Sequence, residues 1–345
     1  MAVAVLGAGA WGSALAVLLG RNGHPTALWS HRPATAATLA KDRENTRHLP
    51  GIPLPRAVTP TADLTAATAA AEVVLIAVPS QAFLEVLDRL VPLVEGTSLP
   101  IAWATKGLDP WGRLLHEAVA DHLGPRPMAV VSGPSFADEV ARGLPTALTV
   151  AANEEALAQR LARVFNGPTV RIFTTTDLLG VQLGGTFKNA LAIAAGISDG
   201  LGFGANARAA VITGGLWELA RLGEALGAKR DTLMGLSGVG DLVLTCTDDQ
   251  SRNRRFGLAV GRGQNLAETR AQLGTVEGER TTHEVVQLAA KLGVALPIIE
   301  RVDAVLKGRM SPREAVAALL APPPRVEFPR PDTSTSGRAG GAAGD

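Results

Sequence analysis

The sequence predicts an α/β protein, with a parallel sheet of βαβ units in its first half and only helices in its second. Three observations carry this. The strand-like run Val3-Ala4-Val5-Leu6 passes straight into Gly7-Ala8-Gly9-Ala10-Trp11-Gly12 and then into a helical run, Ser13 to Leu19. Short apolar strands then alternate with helical segments as far as Phe173, and from Asp177 onward helical periodicity alone is left.

A G-x-G-x-x-G that closes a strand and opens a helix is the fingerprint of a dinucleotide-binding Rossmann unit. Gly7 suits the tight turn, Gly9 lets the backbone approach a pyrophosphate, and Gly12 lets the helix pack closely, with its free N–H groups facing the anion. The next strand, Thr26 to Trp29, ends at Ser30-His31-Arg32. An NAD-selective site usually carries an acidic residue here for the ribose 2′-hydroxyl, and none is present. Arg32, helped by His31, could instead meet a 2′-phosphate, which leans towards NADPH/NADP with NADH/NAD still usable; a solvated strand-end arginine is the alternative.

Residues 33 to 72 read as helix and loop, punctuated by Pro50, Pro53, Pro55 and Pro60, with little chemistry in them. The run Val73 to Val78 is apolar throughout, as in a strand buried on both faces, and a helix follows from Phe83 to Val91. Pro100 to Ala104 is a further strand that delivers Thr105-Lys106-Gly107, so Lys106 is placed at the carboxyl ends of the strands, where ligands sit in open α/β sheets. Such a lysine also occurs simply as a surface residue of a βα loop. Met128 to Val131 leads into Ser132-Gly133-Pro134-Ser135-Phe136-Ala137, where Ser135 reads as the N-cap of a short helix and either an anion or hydroxyl site or an ordinary cap. Two strands, Thr146 to Ala151 and Thr169 to Phe173, flank a helix from Glu154 to Phe165.

The helices then expected are 177 to 197, 206 to 226, 252 to 261, 266 to 273, 280 to 292, 297 to 307 and 312 to 320. The domain boundary falls near 175, giving a dinucleotide-binding domain over 1–175 and a helical domain over 176–321. The tail 322–345 is rich in Pro, Gly, Ala, Ser and Thr, and is expected to be disordered.

Two constellations in the helical half carry chemistry. Lys188 is the one charged side chain between Leu178 and Ile197, and Gly184, Gly185 and Ala192 surround it at helical spacing. Mid-helix glycines cost about 1 kcal/mol each, so they need a reason: close approach of a cofactor or substrate, or tight packing on another helix. A desolvated lysine suits acid and base work, the alternative being a structural ion pair. Next, Gly235 to Gly240 read as a glycine-rich turn that places Asp241 within reach of a buried ammonium, and Ser251-Arg252-Asn253 opens a helix after an acidic loop. Hydroxyl, guanidinium and amide donors at a helix N-terminus make a phosphate site, the alternative being a solvated basic face.

Composition excludes other classes. The chain has 345 residues, 46% of them hydrophobic, and a net charge of +1, which lacks the basic excess of a nucleic-acid binder. A single cysteine, Cys246, forms no internal disulfide, and six histidines show no paired zinc spacing, so a reducing compartment and no metal are expected. With no apolar signal segment ahead of the first strand, and with Gln182, Lys188 and Asn189 inside the most apolar helix, a cytoplasmic protein without a membrane span is expected.

The segments GAGAWGSALA, ATKGL at 104–108, SGPSFADEVARGLPTA at 132–147, GTFKNALAIAAGISDGLGFGANARAA at 185–210, LSGVGDLVLTCTDDQSRNRRFG at 236–257 and VEGERT at 276–281 resemble those of bacterial NAD(P)-dependent glycerol-3-phosphate dehydrogenases. The resemblance runs to about residue 320. It implies reversible reduction of dihydroxyacetone phosphate to sn-glycerol 3-phosphate, feeding glycerophospholipid synthesis, on a Rossmann domain followed by a helical domain like that of 6-phosphogluconate dehydrogenase, in a homodimer. By position it implies that Gly7, Gly9, Ala10, Trp11, Gly12, His31, Arg32, Lys106, Ala137, Arg252, Thr275, Val276 and Glu277 contact the cofactor. It gives Lys106, Gly133, Ser135, Lys188, Asp241, Ser251, Arg252 and Asn253 to the substrate, with Lys188, Lys106 and Asp241 catalytic. Ala10 replaces a hydroxyl residue common in the family, and His48 a tyrosine. Two rivals are a dehydrogenase of the same architecture acting on a hydroxy or sugar acid, and a non-catalytic dinucleotide sensor.

Overall fold

The computed structural model describes residues 1–274 and 276–321. The expected tail disorder and the role given to Thr275 lie outside the described residues. Eight strands form one sheet: β1 (Val3–Leu6), β2 (Thr26–Trp29), β3 (Val58–Thr61), β4 (Val73–Ile76), β5 (Ile101–Trp103), β6 (Met128–Ser132), β7 (Thr146–Ala152) and β8 (Val170–Thr175). Their order is β3-β2-β1-β4-β5-β6-β7-β8, and every pairing is parallel except β6 with β7. β1 therefore has β2 on one side and β4 on the other, and the crevice opens between the carboxyl ends of β1 and β4, where the strand order reverses.

The helices of this half are α1 (Ala10–Arg21), α2 (Pro33–Asp42), α3 (Leu64–Ala69), α4 (Phe83–Val94), α5 (Leu115–Leu123), α6 (Ala137–Arg142) and α7 (Glu155–Phe165). Two buried clusters sandwich the sheet, because successive strand residues point to opposite faces: Val3 and Val5 pack with α1 on one side, and Ala4 and Leu6 with Phe83 and Leu87 of α4 on the other.

The reading of 33–72 as helix and loop missed β3. It contains Pro60, which a central strand would not tolerate, but β3 is the edge of the sheet and needs no N–H there. Ser135 is not an N-cap either. The cap position of α6 is Phe136, and the Ser135 hydroxyl donates to the Gly133 carbonyl at 3.0 Å.

The helical half comprises α8 (Leu178–Gly200), α9 (Gly204–Leu226), α10 (Arg230–Leu233), α11 (Asp241–Thr247), α12 (Arg252–Gly261), α13 (Leu266–Leu273), α14 (Glu277–Lys291), α15 (Pro297–Leu306) and α16 (Pro312–Leu320). The long central α8 starts on its Asp177 cap, whose carboxylate accepts from Gly180 N and, through its other oxygen, from Lys229 N. Its first turn, with Leu178 and Val181, belongs to the α4 side of the sheet core, whereas Leu183 through Ile197 form the centre of the helical core. No helix of the described residues is long and apolar enough to cross a membrane.

Residues 235–240 are not a turn. Leu236–Gly240 is a π-helix that runs directly into α11. Glycine is required inside it, because a Cβ on Gly238 would lie 1.8 Å from the Leu233 carbonyl oxygen.

Candidate active site

Gly7 takes a φ of 123°, and a Cβ there would meet the Ala77 carbonyl oxygen at 2.5 Å. A Cβ on Gly12 would meet the Gly7 carbonyl oxygen at 1.8 Å, so α1 rests on the turn that precedes it. Gly9 differs: a Cβ built there has nothing within 4 Å, so the backbone presents an open face. α1 begins with no side-chain cap and no acidic residue in its first turn, leaving its N–H groups and positive dipole end available. The Trp11 Nε1 atom is buried and has no hydrogen-bond partner. An open glycine face, uncapped amides and an unmet indole donor fit an anionic dinucleotide lying along the loop.

Arg32 and His31 stand exposed at the end of β2, and Arg32 Nε donates to His31 Nε2 at 3.2 Å. That contact engages no carboxylate, so the guanidinium keeps its charge for an incoming anion. Asn45, which sequence reasoning passed over, braces the glycine loop from the 43–57 excursion by donating to Ala8 O at 3.0 Å and Ser13 Oγ at 2.7 Å. Nothing in the local sequence marks it.

The reacting centre gathers around one fully buried carboxylate. Asp241, the first residue of α11, accepts from Lys106 Nζ on Oδ2 at 2.5 Å and from Lys188 Nζ on Oδ1 at 2.6 Å. Lys106 also donates to the Gly133 carbonyl at 3.2 Å, and Lys188 to Thr245 Oγ1 at 3.1 Å. Three sequence-distant segments thus meet: the loop after β5, the middle of α8 and the start of α11. Burial pushes the Lys106 pKa down to about 8, with the Lys188 charge adding to the fall and Asp241 opposing it.

The mid-helix glycines have a packing reason. A Cβ on Gly184 would lie 2.3 Å from the Ser237 carbonyl oxygen of the π-helix, and one on Gly185 would lie 2.9 Å from Ser132 Oγ and 3.4 Å from the Lys106 chain. The glycines let the elements bearing Asp241 and Lys106 close onto the helix bearing Lys188.

At α12 the structure sorts the basic run residue by residue. Ser251 caps the helix, its hydroxyl oxygen accepting from Arg254 N at 3.2 Å. Arg252 is exposed at the cleft. Asn253 is buried, donating to Asn189 Oδ1 at 2.9 Å and accepting from Gly278 N at 3.0 Å, so it ties α8, α12 and α14 together. Arg254 is buried in ion pairs with Asp199 and Asp249, and Arg255 is exposed. A cleft of about 180 Å³ is lined by both lysines, Ser251, Arg252, Asn253 and Glu277. Burial raises the Glu277 pKa, while Arg252, Lys188 and Lys106 pull it down, which places all three cations within its electrostatic reach. Val276 is buried at the start of α14, and Ala137 is half-buried at the start of α6.

Comparison with known proteins follows the same division. The profile described as NAD-dependent glycerol-3-phosphate dehydrogenase N-terminus matches residues 2–158, and its C-terminus counterpart matches residues 177–317. The chain is 56% identical over 329 residues to glycerol-3-phosphate dehydrogenase [NAD(P)+] of Thioalkalivibrio sulfidiphilus, a match covering 94% of this chain and 98% of that one. It is similar to the crystal structure of glycerol-3-phosphate dehydrogenase from Coxiella burnetii, with a TM-score of 0.90 and 46% identity over 93% of this chain and 99% of that one. Glycerol-3-phosphate dehydrogenase GPD1 of Saccharomyces cerevisiae, at 23% identity and a TM-score of 0.81, covering 93% of this chain and 99% of its own, shares the fold.

Proposed function

The chain belongs to the NAD-dependent glycerol-3-phosphate dehydrogenase family, and from that premise we propose how its own residues carry out the reversible reduction of dihydroxyacetone phosphate to sn-glycerol 3-phosphate. It is an NAD(P)-dependent oxidoreductase. When bound, the reduced nicotinamide supplies a hydride to the C2 carbonyl carbon, and the oxidised form takes it back.

Gly7, Gly9, Ala10, Trp11 and Gly12 hold the pyrophosphate end of the cofactor, with His31 and Arg32 at the ribose; Ala137, Arg252, Val276 and Glu277 complete its surround, and NADPH is preferred over NADH. Lys188 gives a proton to the oxygen on C2 and recovers it in the oxidative direction. Lys106 adds a second positive charge beside the developing alkoxide, and Asp241 holds both ammonium groups in place. Arg252 and the Ser251 hydroxyl, which keeps its own proton to donate, grip the phosphate at the N-terminus of α12, while Gly133 and Ser135 shape the other wall. Asn253 acts here by fixing α12 against α8 and α14.

The observation that carries this reading is the pair of lysines on one buried carboxylate beside a donor-rich helix start. Residues 1–175 serve as the cofactor domain and 176–321 as the substrate domain, a division supported by the sheet ending at Thr175. We further propose a homodimer in the cytoplasm that feeds glycerophospholipid synthesis, a reading that follows from family membership. Following nicotinamide absorbance with dihydroxyacetone phosphate, against unphosphorylated 2-keto acids, tests the assignment: turnover confined to the keto acids would overturn it.

A further inference from the structure

Asp199, near the end of α8, is half-buried with 9% of its side chain exposed, and its Oδ2 accepts from Arg254 of α12 at 2.5 Å and from Arg208 of α9 at 2.7 Å. Its Oδ1 is buried without a partner. Arg254 is buried, and its Nε donates to Asp249 Oδ1 in the loop before α12 at 2.9 Å. The guanidinium is therefore gripped on both sides. The backbone beneath it has no slack: Cβ atoms on Gly196 of α8 and Gly257 of α12 would each lie 2.2 Å from the other helix, at Arg254 O and Ile193 O.

Two residues along an α-helix are roughly 200° apart around its axis, so Arg252 and Arg254 project to opposite sides. Fixing Arg254 in the interior thereby fixes the rotation of α12 that presents Arg252 to the cleft. We propose that Asp199 is a positioning residue for phosphate recognition, acting through Arg254 to hold Arg252 and the α12 N-terminus in register with Lys188. This rests on the reading that Arg252 grips the substrate phosphate.

The test compares the parent, Asp199→Asn, Arg252→Ala and the double variant, using dihydroxyacetone phosphate, unphosphorylated dihydroxyacetone and NADPH. Asp199→Asn keeps size and removes one of the two carboxylate charges that order Arg254. Its KM for dihydroxyacetone phosphate should rise roughly five- to thirtyfold, with kcat changed less than about threefold and the KM for NADPH rising by less than that for dihydroxyacetone phosphate. Its preference for the phosphorylated substrate should fall, and the substitution should have no further effect in the Arg252→Ala background. A merely structural role would lower kcat and stability and raise both KM values without that dependence on Arg252.

If Arg252→Ala loses phosphate preference and Asp199→Asn keeps it, or if Asp199→Asn acts at full size in the Arg252→Ala background, the positioning role is overturned and the phosphate site stands. If Arg252→Ala itself keeps the parent's preference, the phosphate site is overturned and this inference with it. Should Asp199→Asn not fold, Arg254→Lys, which retains the charge but not the two-sided grip, carries the same comparison.

Discussion

Lys106 and Lys188 do not contact Asp241 in the same way: each ammonium takes its own carboxylate oxygen, at 2.5 and 2.6 Å. One buried negative charge therefore separates two positive ones whose side chains are 14% and 11% exposed. Asp241→Asn leaves the two cations facing each other without compensation, and losing one partner of a buried pair costs roughly 3–5 kcal/mol. The variant should lose that order of stability in denaturant unfolding and at least about a hundredfold in kcat. Parent-like stability would mean that the lysines relax into solvent at no cost.

Lys188→Ala should lower kcat by roughly a hundredfold or more, as expected for a missing general acid, while NADPH binding measured by fluorescence persists. A kcat within about threefold of the parent would remove Lys188 from proton transfer.

The pH profile follows from Lys106. Its pKa is lowered to about 8, chiefly by burial, so the side chain is charged below that pH and neutral above it. Reduction uses the charge to stabilise the alkoxide, so kcat/KM for dihydroxyacetone phosphate should fall as pH rises through about 8. Because the Asp241 carboxylate raises the pKa, Asp241→Asn should move that limb to lower pH. A profile flat to about pH 10 would mean that no depressed lysine takes part.

Cofactor choice rests on Arg32. A partly exposed guanidinium and phosphate pair supports a preference for NADPH over NADH of roughly five- to a hundredfold. Arg32→Ala should bring the two KM values together by weakening NADPH alone, and added salt should shrink the parent's preference. An unchanged ratio would make Arg32 a bystander.

The crossing of α8 and α12 should be intolerant of one methyl group. Gly257→Ala drives a Cβ to 2.2 Å from the Ile193 carbonyl oxygen, and overpacking of this kind costs about 1–3 kcal/mol or more. A drop in Tm of roughly 3–10 °C is expected by calorimetry, with a raised KM for dihydroxyacetone phosphate because the α12 start moves. No change in either would show that the crossing has room.

What the sequence made legible was local. The glycine fingerprint, the apolar strands and the isolation of Lys188 are each written within a few residues, and the family resemblance extended them to Lys106, Asp241 and Arg252. Other features depend on partners far along the chain. β3 is tolerated only because it is an edge, and the π-helix at 236–240 lies against α8 only because Gly184 has no side chain. Asn45 matters only against Ala8 and Ser13, and the four basic or amide residues after Ser251 look alike until burial separates Asn253 and Arg254 from Arg252 and Arg255.

The placement of α8 in two cores has a consequence for cooperativity. Its first turn seals the sheet with Leu178 and Val181, and the same unbroken helix supplies the centre of the other core and carries Lys188. Chains with two domains often melt in two steps, because few contacts cross the boundary. Here the boundary is crossed by a continuous hydrogen-bonded rod, so neither half can complete its interior alone. The described residues should then unfold in one step rather than two, with the sheet half left short of Leu178 and Val181 when α8 is absent.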